Sequence, residues 1–441
     1  MKSKKIFWHT LLWFNWGIIF WFWFWGAKNL NFNNLADLTI IFGRLSGLAA
    51  AYMILLQFFF MGRTPFLERV FGLDKLAKIH KKNGKWGFYF LILHPILLTW
   101  GYSRLAQISL TDQSLDFFTH YPHVYLATIG LILFIVVVAA SIKISRSRLR
   151  YEWWYFVHLT AYLAVFFSFW HQIKVGTDLL SSQIFYWYWI ALYIFVFSNH
   201  IVFRFLRPIY NFFRHQFYVK DIVRETHQAV SVYIGGKNLD KFKIYPGQFM
   251  IFRFLAKIFW WQAHPFSLSI LPDGKQLRIT VKNLGDFTGQ VPNLKIGTKV
   301  FIDGPYGVFT DLFSVSDKIL LIAGGIGITP IRSLFEQMTK KGKDAILLYL
   351  NKTQKDIVFR DELQSIAEDY QGKVNHIISE EPDFSGEKGR LDQEKIKRLA
   401  PDYLSREVYL CGPIPMMDAT LKILKELGIP SRQIHFEKFE L

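Results

Sequence analysis

Four histidines at two matched spacings constrain this chain most. His80 and His94 stand fourteen residues apart in one apolar stretch, and His158 and His171 stand thirteen apart in another. Hydrocarbon solvates ionisable groups poorly, so a histidine inside a membrane segment is a functional candidate by default. Neutral imidazole is also a common axial ligand of haem iron. At about 1.5 Å per residue, fourteen positions cover roughly 21 Å, which sets one histidine near each face of a bilayer. Two such helices side by side present two pairs of imidazoles, room for two stacked haems. Fourteen steps of about 100° return to within about 40° of the starting face, whereas thirteen leave a mismatch of about 140°. The second helix is therefore expected to bend, to change its winding or to ligate from another side. The plainer alternative is four polar side chains satisfied inside a helix bundle.

Charge supports the membrane reading. The chain of 441 residues carries a formal net charge of +18. Residues 1–214 hold 21 Lys+Arg against 7 Asp+Glu, a net of +14, and the rest of the chain is only +4. The basic excess thus belongs to the apolar half and gathers at segment ends, as in membrane proteins that set their orientation by charge. No nucleic-acid module is visible. Cys411 is the only cysteine, which excludes a disulfide or a thiolate cluster within one chain.

Apolar runs at 6–25, 38–61, 77–104, 122–144, 153–173 and 183–206 predict six membrane helices. The first is too long and bulky for a cleaved leader and reads as a retained helix. Basic residues cluster at 2–5, 63–85, 143–150 and 204–214, and the alternate loops at 26–37, 106–121 and 174–182 are poor in them. Six helices with both termini cytoplasmic satisfy every cluster. That orientation puts His80 and His158 at the inner level and His94 and His171 at the outer one. Lys81, Lys82 and Lys85 flank the inner level, either as cations for haem propionates or as membrane anchors. Arg44, in Gly43-Arg44-Leu45-Ser46-Gly47, calls for an anion such as an outer propionate or an acceptor, unless it snorkels.

Beyond residue 215 the chain reads as soluble. Runs at 229–234, 247–254, 276–281 and 299–303 suggest a small antiparallel barrel. Strands at 318–323, 345–349 and 407–410 alternate with helical stretches, as in a parallel sheet covered on both faces. The expected domains are 1–214, 215–312 and 313–441. In the barrel stands His264-Pro265-Phe266-Ser267, followed by Gly285-Asp286-Phe287-Thr288 and Gly304-Pro305-Tyr306-Gly307. A flat ring can lie against Phe266 and the backbone after Pro265, with Ser267 bonding the ring and Thr288 a phosphate. Further on, a buried-strand run leads into Gly324-Gly325-Ile326-Gly327-Ile328-Thr329-Pro330. Glycines let a pyrophosphate approach the backbone; Thr329 is the expected N-cap and Pro330 suits the first helical turn. Cys411-Gly412-Pro413 repeats the strand-then-glycine pattern at another strand's carboxyl end, where ligands bind in such sheets.

On these residues the soluble half resembles the ferredoxin–NADP reductase superfamily, with residues 264–267 as its flavin turn and 324–330 and 411–413 as its nicotinamide motifs. Joined to a four-histidine helical half, the whole chain resembles the NADPH oxidase and ferric reductase family. The resemblance implies a multidomain membrane protein: an all-α six-helix transmembrane bundle, an antiparallel β-barrel FAD domain and an α/β parallel-sheet NADPH domain. It implies electrons passing from NADPH (or NADH) through FAD and two haem b groups to oxygen outside, giving superoxide, or to a ferric chelate. By resemblance Phe439 covers the flavin until nicotinamide displaces it, Cys411 lies near the nicotinamide, and Arg44 matches the family's arginine on the second helix. One departure concerns the acceptor: Leu98 stands where the eukaryotic oxidases carry a further histidine. Without calcium loops or a Pro-rich tail, constitutive activity in a plasma or inner membrane is expected, with no obligatory protein partner. Lys352 is a candidate for a nucleotide 2′-phosphate. A reading from another class is a quinone-linked haem subunit or transporter fused to an unrelated reductase.

Overall fold

The computed structural model describes residues 2–28, 32, 34–142, 151–257 and 260–437. The basic cluster at 143–150 and Phe439 lie outside the described residues. The chain divides into two compact units, residues 1–70 with 75–204 and residues 71–74 with 205–441.

The first unit is helical. Each of the six apolar runs forms a helix: α1 (Lys2–Ala27), α2 (Leu35–Met61), α4 (Leu73–Ala106), α6 (Val124–Ser141), α7 (Tyr151–Val175) and α9 (Gln183–Ile201). Among the described residues three shorter helices join them, α3 (Pro65–Phe71), α5 (Leu110–His120) and α8 (Thr177–Leu180). Among the described residues four segments are long and apolar enough to cross a membrane: Leu35–Met61, Val124–Ser141, Trp153–Val175 and Gln183–His215. The last runs from α9 through a π-turn (Val202–Leu206) into α10 (Arg207–His215). Large apolar side chains point outward, Trp13 at 73% exposure and Ile184 at 75%, the pattern of helices solvated by lipid. Small residues set the close approaches. A Cβ at Gly130 of α6 would lie 2.8 Å from the Ala164 carbonyl and closer still to Ser168 of α7, so only glycine lets these two backbones meet.

The second unit holds two sheet systems. Strands β1 (Tyr218–Arg224), β2 (Ala229–Gly235) and β5 (Leu277–Lys282) form one antiparallel sheet. Strands β3 (Phe249–Phe254), β4 (His264–Ser267) and β6 (Val300–Tyr306) form another. Single bridges, Leu268 to Ile279 and Tyr218 to Lys299, link their edges. Alternating side chains of both sheets, among them Val232, Ile234, Phe252, Phe254, Ile279 and Ile302, fill one shared core. The short helix α11 (Asp286–Gln290) follows β5.

The remaining strands form a six-stranded parallel sheet in the order β10-β9-β8-β7-β11-β12. Its centre is β7 (Lys318–Gly324), flanked by β8 (Asp344–Asn351) and β11 (Glu407–Cys411), with β9 (Lys373–Ile378), β10 (Glu387–Lys388) and β12 (Ile434–Phe436) outside. Ile319 and Leu321 pack on one face with Ile331 and Phe335 of α12 (Ile328–Lys340). Leu320 and Ile322 pack on the other with Met417 and Leu424, the two-sided burial that makes a parallel strand read as a continuous apolar run. Three further helices cover it, α13 (Arg360–Asp369), α14 (Gln393–Leu399) and α15 (Ile414–Glu426). The strand order reverses between β7 and β11, so their carboxyl ends open a crevice at the topological switch point.

Candidate functional site

The two histidines expected at the inner level meet. The rings of His80 on α4 and His158 on α7 stand with centroids 6.1 Å apart. Two imidazoles sharing one metal, each with a nitrogen–metal bond of about 2 Å, set their centroids roughly 6 Å apart. The Nδ1 atoms of His80 and His171 are buried with no partner at hydrogen-bond geometry, and His158 Nδ1 lies 3.4 Å from Ser141 Oγ. His94 and His171 lie close enough to interact electrostatically. Helix α7 is α-helical from end to end, so the thirteen-residue spacing is not absorbed by a change of winding. Among the described residues no three His, Cys, Asp or Glu side chains converge on a metal position. Paired histidines without further ligands fit a metal whose other positions come from a macrocycle, so the donor set suits haem.

His94 shows how the helix behind it serves the site. Its Nδ1 lies 2.7 Å from the carbonyl of Gly43 on α2. That oxygen can only accept, so Nδ1 carries the proton and Nε2 keeps its lone pair for a metal. The ring rests where a Cβ on Gly47 would stand, 2.5 Å from Nδ1 and 2.6 Å from Cε1. Gly43 in turn makes room for Leu98, whose side chain would lie 2.8 Å from a Cβ there. Arg44 has a protein partner that sequence reading missed: Asp178 on α8, bonded through Nε at 3.0 Å and through Nη2. Gly26 leaves the space, since its Cβ would sit 2.6 Å from the Asp178 carboxylate. Lys81, Lys82 and Lys85 are exposed. Lys82 and Lys85 lie roughly 160° and 140° round α4 from His80, on the face turned away from it.

In the second unit His264-Pro265-Phe266-Ser267 is strand β4, paired with β3 so that Ser267 faces Phe249. His264 stacks on Phe287 at 3.8 Å, and burial lowers its pKa. The Thr288 hydroxyl serves its own turn, accepting from the Leu284 amide at 2.8 Å and donating to the Gly285 carbonyl at 3.1 Å.

The two glycine motifs come together at the switch point. Gly324 ends β7, Gly325–Gly327 forms a tight 3₁₀ turn, and α12 begins at Ile328. A Cβ at Gly327 would stand 2.5 Å from the Cys411 carbonyl and 2.7 Å from Gly412, and one at Gly324 would meet Pro413 at 3.1 Å. Close crossing of the two strand ends therefore requires glycine. Gly325, at φ +51°, faces open space, where a pyrophosphate can reach the backbone. Thr329 is not the N-cap expected from sequence. Gly327 holds that place, and the Thr329 hydroxyl donates back to the Ile326 carbonyl at 3.1 Å; Pro330 falls in the first turn as expected. Burial, reinforced by the charge of Glu437, pushes the Cys411 thiol pKa up, so it is a thiol and not a nucleophilic thiolate. Glu437 is itself buried, 3.3 Å from the Cβ position of Gly307. Nothing local in the sequence marks it, because its burial arises from distant segments. Lys352 pairs with Glu380 at 2.8 Å.

Residues 46–169 match the family model for a ferric reductase like transmembrane component, 214–310 that for an FAD-binding domain, and 321–422 that for an oxidoreductase NAD-binding domain. The chain is an oxidoreductase carrying flavin- and nicotinamide-nucleotide-binding domains. Specifically, it joins a ferric reductase-like membrane domain to a ferredoxin–NADP reductase-like domain. The glycine betaine monooxygenase reductase subunit of Chromohalobacter salexigens is 35% identical over 173 residues, 36% of this chain and 46% of that protein. The ferredoxin reductase component of 3-ketosteroid-9-alpha-monooxygenase from Rhodococcus rhodochrous is 30% identical over 228 residues, 50% of this chain and 64% of that protein. The chain thus spans less than two thirds of the length of these curated relatives. Among solved structures, the ferredoxin reductase in carbazole 1,9a-dioxygenase superposes with a TM-score of 0.46 and 27% identity, covering 51% of this chain and 68% of that one.

Proposed function

We propose that this chain carries electrons across a membrane from NADPH, through FAD and two haem b groups, to an acceptor on the far side. The observation that carries the reading is the facing pair His80–His158, in one chain with flavin- and nicotinamide-binding domains. When bound, FAD accepts a hydride from the nicotinamide and the haem irons relay its two electrons singly. The chain's own residues bind and orient. His80 with His158 would hold the inner haem and His94 with His171 the outer one, with the Gly43 carbonyl fixing the His94 tautomer. Phe266 and Ser267 would seat the flavin, with Thr288 beside its phosphates. Gly324, Gly325, Gly327, Thr329 and Pro330 would cradle the pyrophosphate at the start of α12. Gly412 and Pro413 would line the nicotinamide crevice beside the uncharged Cys411 thiol, and Phe439 would shield the flavin. NADH would fit the same crevice, since the 2′-phosphate candidate Lys352 is already paired.

This reading takes all six long helices as membrane spans, and the two linked antiparallel sheets as one barrel. The basic segment ends favour cytoplasmic termini and a cytoplasmic reductase half. Oxygen, reduced to superoxide, is the leading acceptor. Leu98, packed against Gly43, stands where the eukaryotic oxidases carry a further histidine, which favours a ferric chelate as the second reading. The test is NADPH-driven cytochrome c reduction by the FAD-loaded protein in air, with and without superoxide dismutase. Loss of most of the signal with dismutase supports oxygen; persistence of the signal overturns it in favour of direct metal reduction.

A further inference from the structure

A buried ionic cluster joins the flavin-binding and nucleotide-binding regions of the second unit. Arg278 on β5 is 4% exposed, an expensive place for a guanidinium unless every donor is met. Its two terminal nitrogens bond Glu362 of α13 at 3.0 and 3.1 Å. Its remaining donors meet the Ser269 hydroxyl at 3.2 Å and carbonyl, and the Tyr233 hydroxyl at 3.3 Å, all within the flavin-binding region. Glu362 is shared with Arg332 of α12, the helix that starts at the glycine turn. The guanidinium carbon of Arg278 lies over the Phe359 ring, 4.4 Å from its centre.

Phe359 sits in the left-handed region at φ +63°, a conformation that costs a bulky residue energy and persists only where its surroundings enforce it. That backbone turns its ring under the guanidinium. The residue before it leads to the nucleotide turn: the Val358 amide donates to the Tyr349 hydroxyl at 3.3 Å, which donates to the Gly325 carbonyl at 3.1 Å. One continuous set of contacts therefore runs from Arg278 to the glycine where pyrophosphate is expected. A bidentate, stacked arginine gives a fixed geometry that lysine lacks.

We propose that Arg278 is a positioning residue. With Glu362, Arg332 and Phe359 it clamps the nucleotide-binding lobe to the flavin-binding lobe and sets the approach of nicotinamide to flavin. The inference rests on the proposed NAD(P)H-to-FAD transfer, in which the nicotinamide C–H bond breaks, its electron pair and proton pass together to the flavin, and NAD(P)⁺ leaves.

The test uses the full chain loaded with FAD, as Arg278→Lys, Glu362→Gln and the double variant; Glu362→Gln keeps the side-chain shape and guards against loss of fold. Flavin reduction by NAD(P)H is followed in single turnovers, and amide hydrogen exchange at residues 358–363 is followed without nucleotide. The limiting reduction rate falls about tenfold to a hundredfold in each single variant, as a misplacement of about 1 Å produces. Half-saturation by nucleotide stays within about twofold, exchange quickens about tenfold, and the double variant is no worse than the worse single one. Wild-type rates and exchange in folded variants overturn the clamp, as does an effect confined to half-saturation. Failure of the wild-type protein to reduce flavin overturns the proposed function instead, while exchange still reports whether the clamp exists.

Discussion

Gly47→Ala isolates the outer histidine pair without touching a ligand. The added methyl would stand 2.5 Å from His94 Nδ1 and 2.6 Å from Cε1, against an ordinary separation of roughly 3.5 Å. The ring must therefore retreat by about 1 Å or the two helices must part. Either movement breaks the 2.7 Å bond to the Gly43 carbonyl and leaves the buried His94 Nδ1–H donor unpaired, a cost of about 1–3 kcal/mol. Loss of a partner that orients a metal-bound histidine typically weakens metal binding about 10- to 100-fold, the same range. Helix propensity pulls the other way, since alanine in place of glycine stabilises a helix by roughly 0.5–1 kcal/mol. Gly17→Ala measures that gain alone, because nothing lies within 4 Å of its Cβ position. Haem-to-protein stoichiometry of the purified variants, with a redox titration to separate the sites, should show about half the haem lost in Gly47→Ala and none in Gly17→Ala. Full haem content with an unchanged titration in Gly47→Ala would refute the placement of His94 as a ligand.

Other perturbations follow from the same contacts. Arg44→Met or Asp178→Asn strips one partner from a pair exposed by only 10% and 4% and should cost roughly 3–5 kcal/mol; thermal melts in detergent should show an Arg44→Met/Asp178→Leu double variant recovering most of the loss. Gly325→Ala strains a backbone at φ +51° by about 1–2 kcal/mol and closes the phosphate approach, so titration of flavin reduction should show at least about a tenfold rise in the NADPH needed. Burial on β9 holds the His376 pKa down to about 4 from 6.5. The unfolded chain then binds the extra proton first, so stability is lost as pH falls from about 6.5 toward 4, and a series of melting temperatures should flatten in His376→Gln.

The legible part of this molecule was whatever local chemistry dictates. Six apolar runs became six helices, and among the described residues four segments are long and apolar enough to cross a membrane, because run length and hydropathy are local properties of the chain. The buried run before Gly324 became the central strand for a similar reason. What stayed hidden depends on segments distant in sequence. Asp178 faces Arg44 across 134 positions, and the polar loop around it offers no signal of that pairing. Gly47 carries no sequence signal of its own, and its role appears only where the imidazole of His94 fills the place of its missing side chain. Helix α5 fell in a stretch expected to be a loop, because its amphipathic surface lacks a long apolar run. Thr329 followed the usual capping pattern, yet the 3₁₀ turn at 325–327 starts the helix at Ile328, two residues earlier than a threonine cap requires.

The central claim is that the flavin and the paired histidines belong to one electron path. Anaerobic addition of NADPH to the protein loaded with FAD and haem tests it most directly. The haem spectrum should convert to the one dithionite gives, and Gly325→Ala should need at least about tenfold more NADPH for the same conversion while dithionite still reduces its haem fully. Flavin that bleaches beside haem that stays oxidised, or a purified protein that retains no haem, would contradict it.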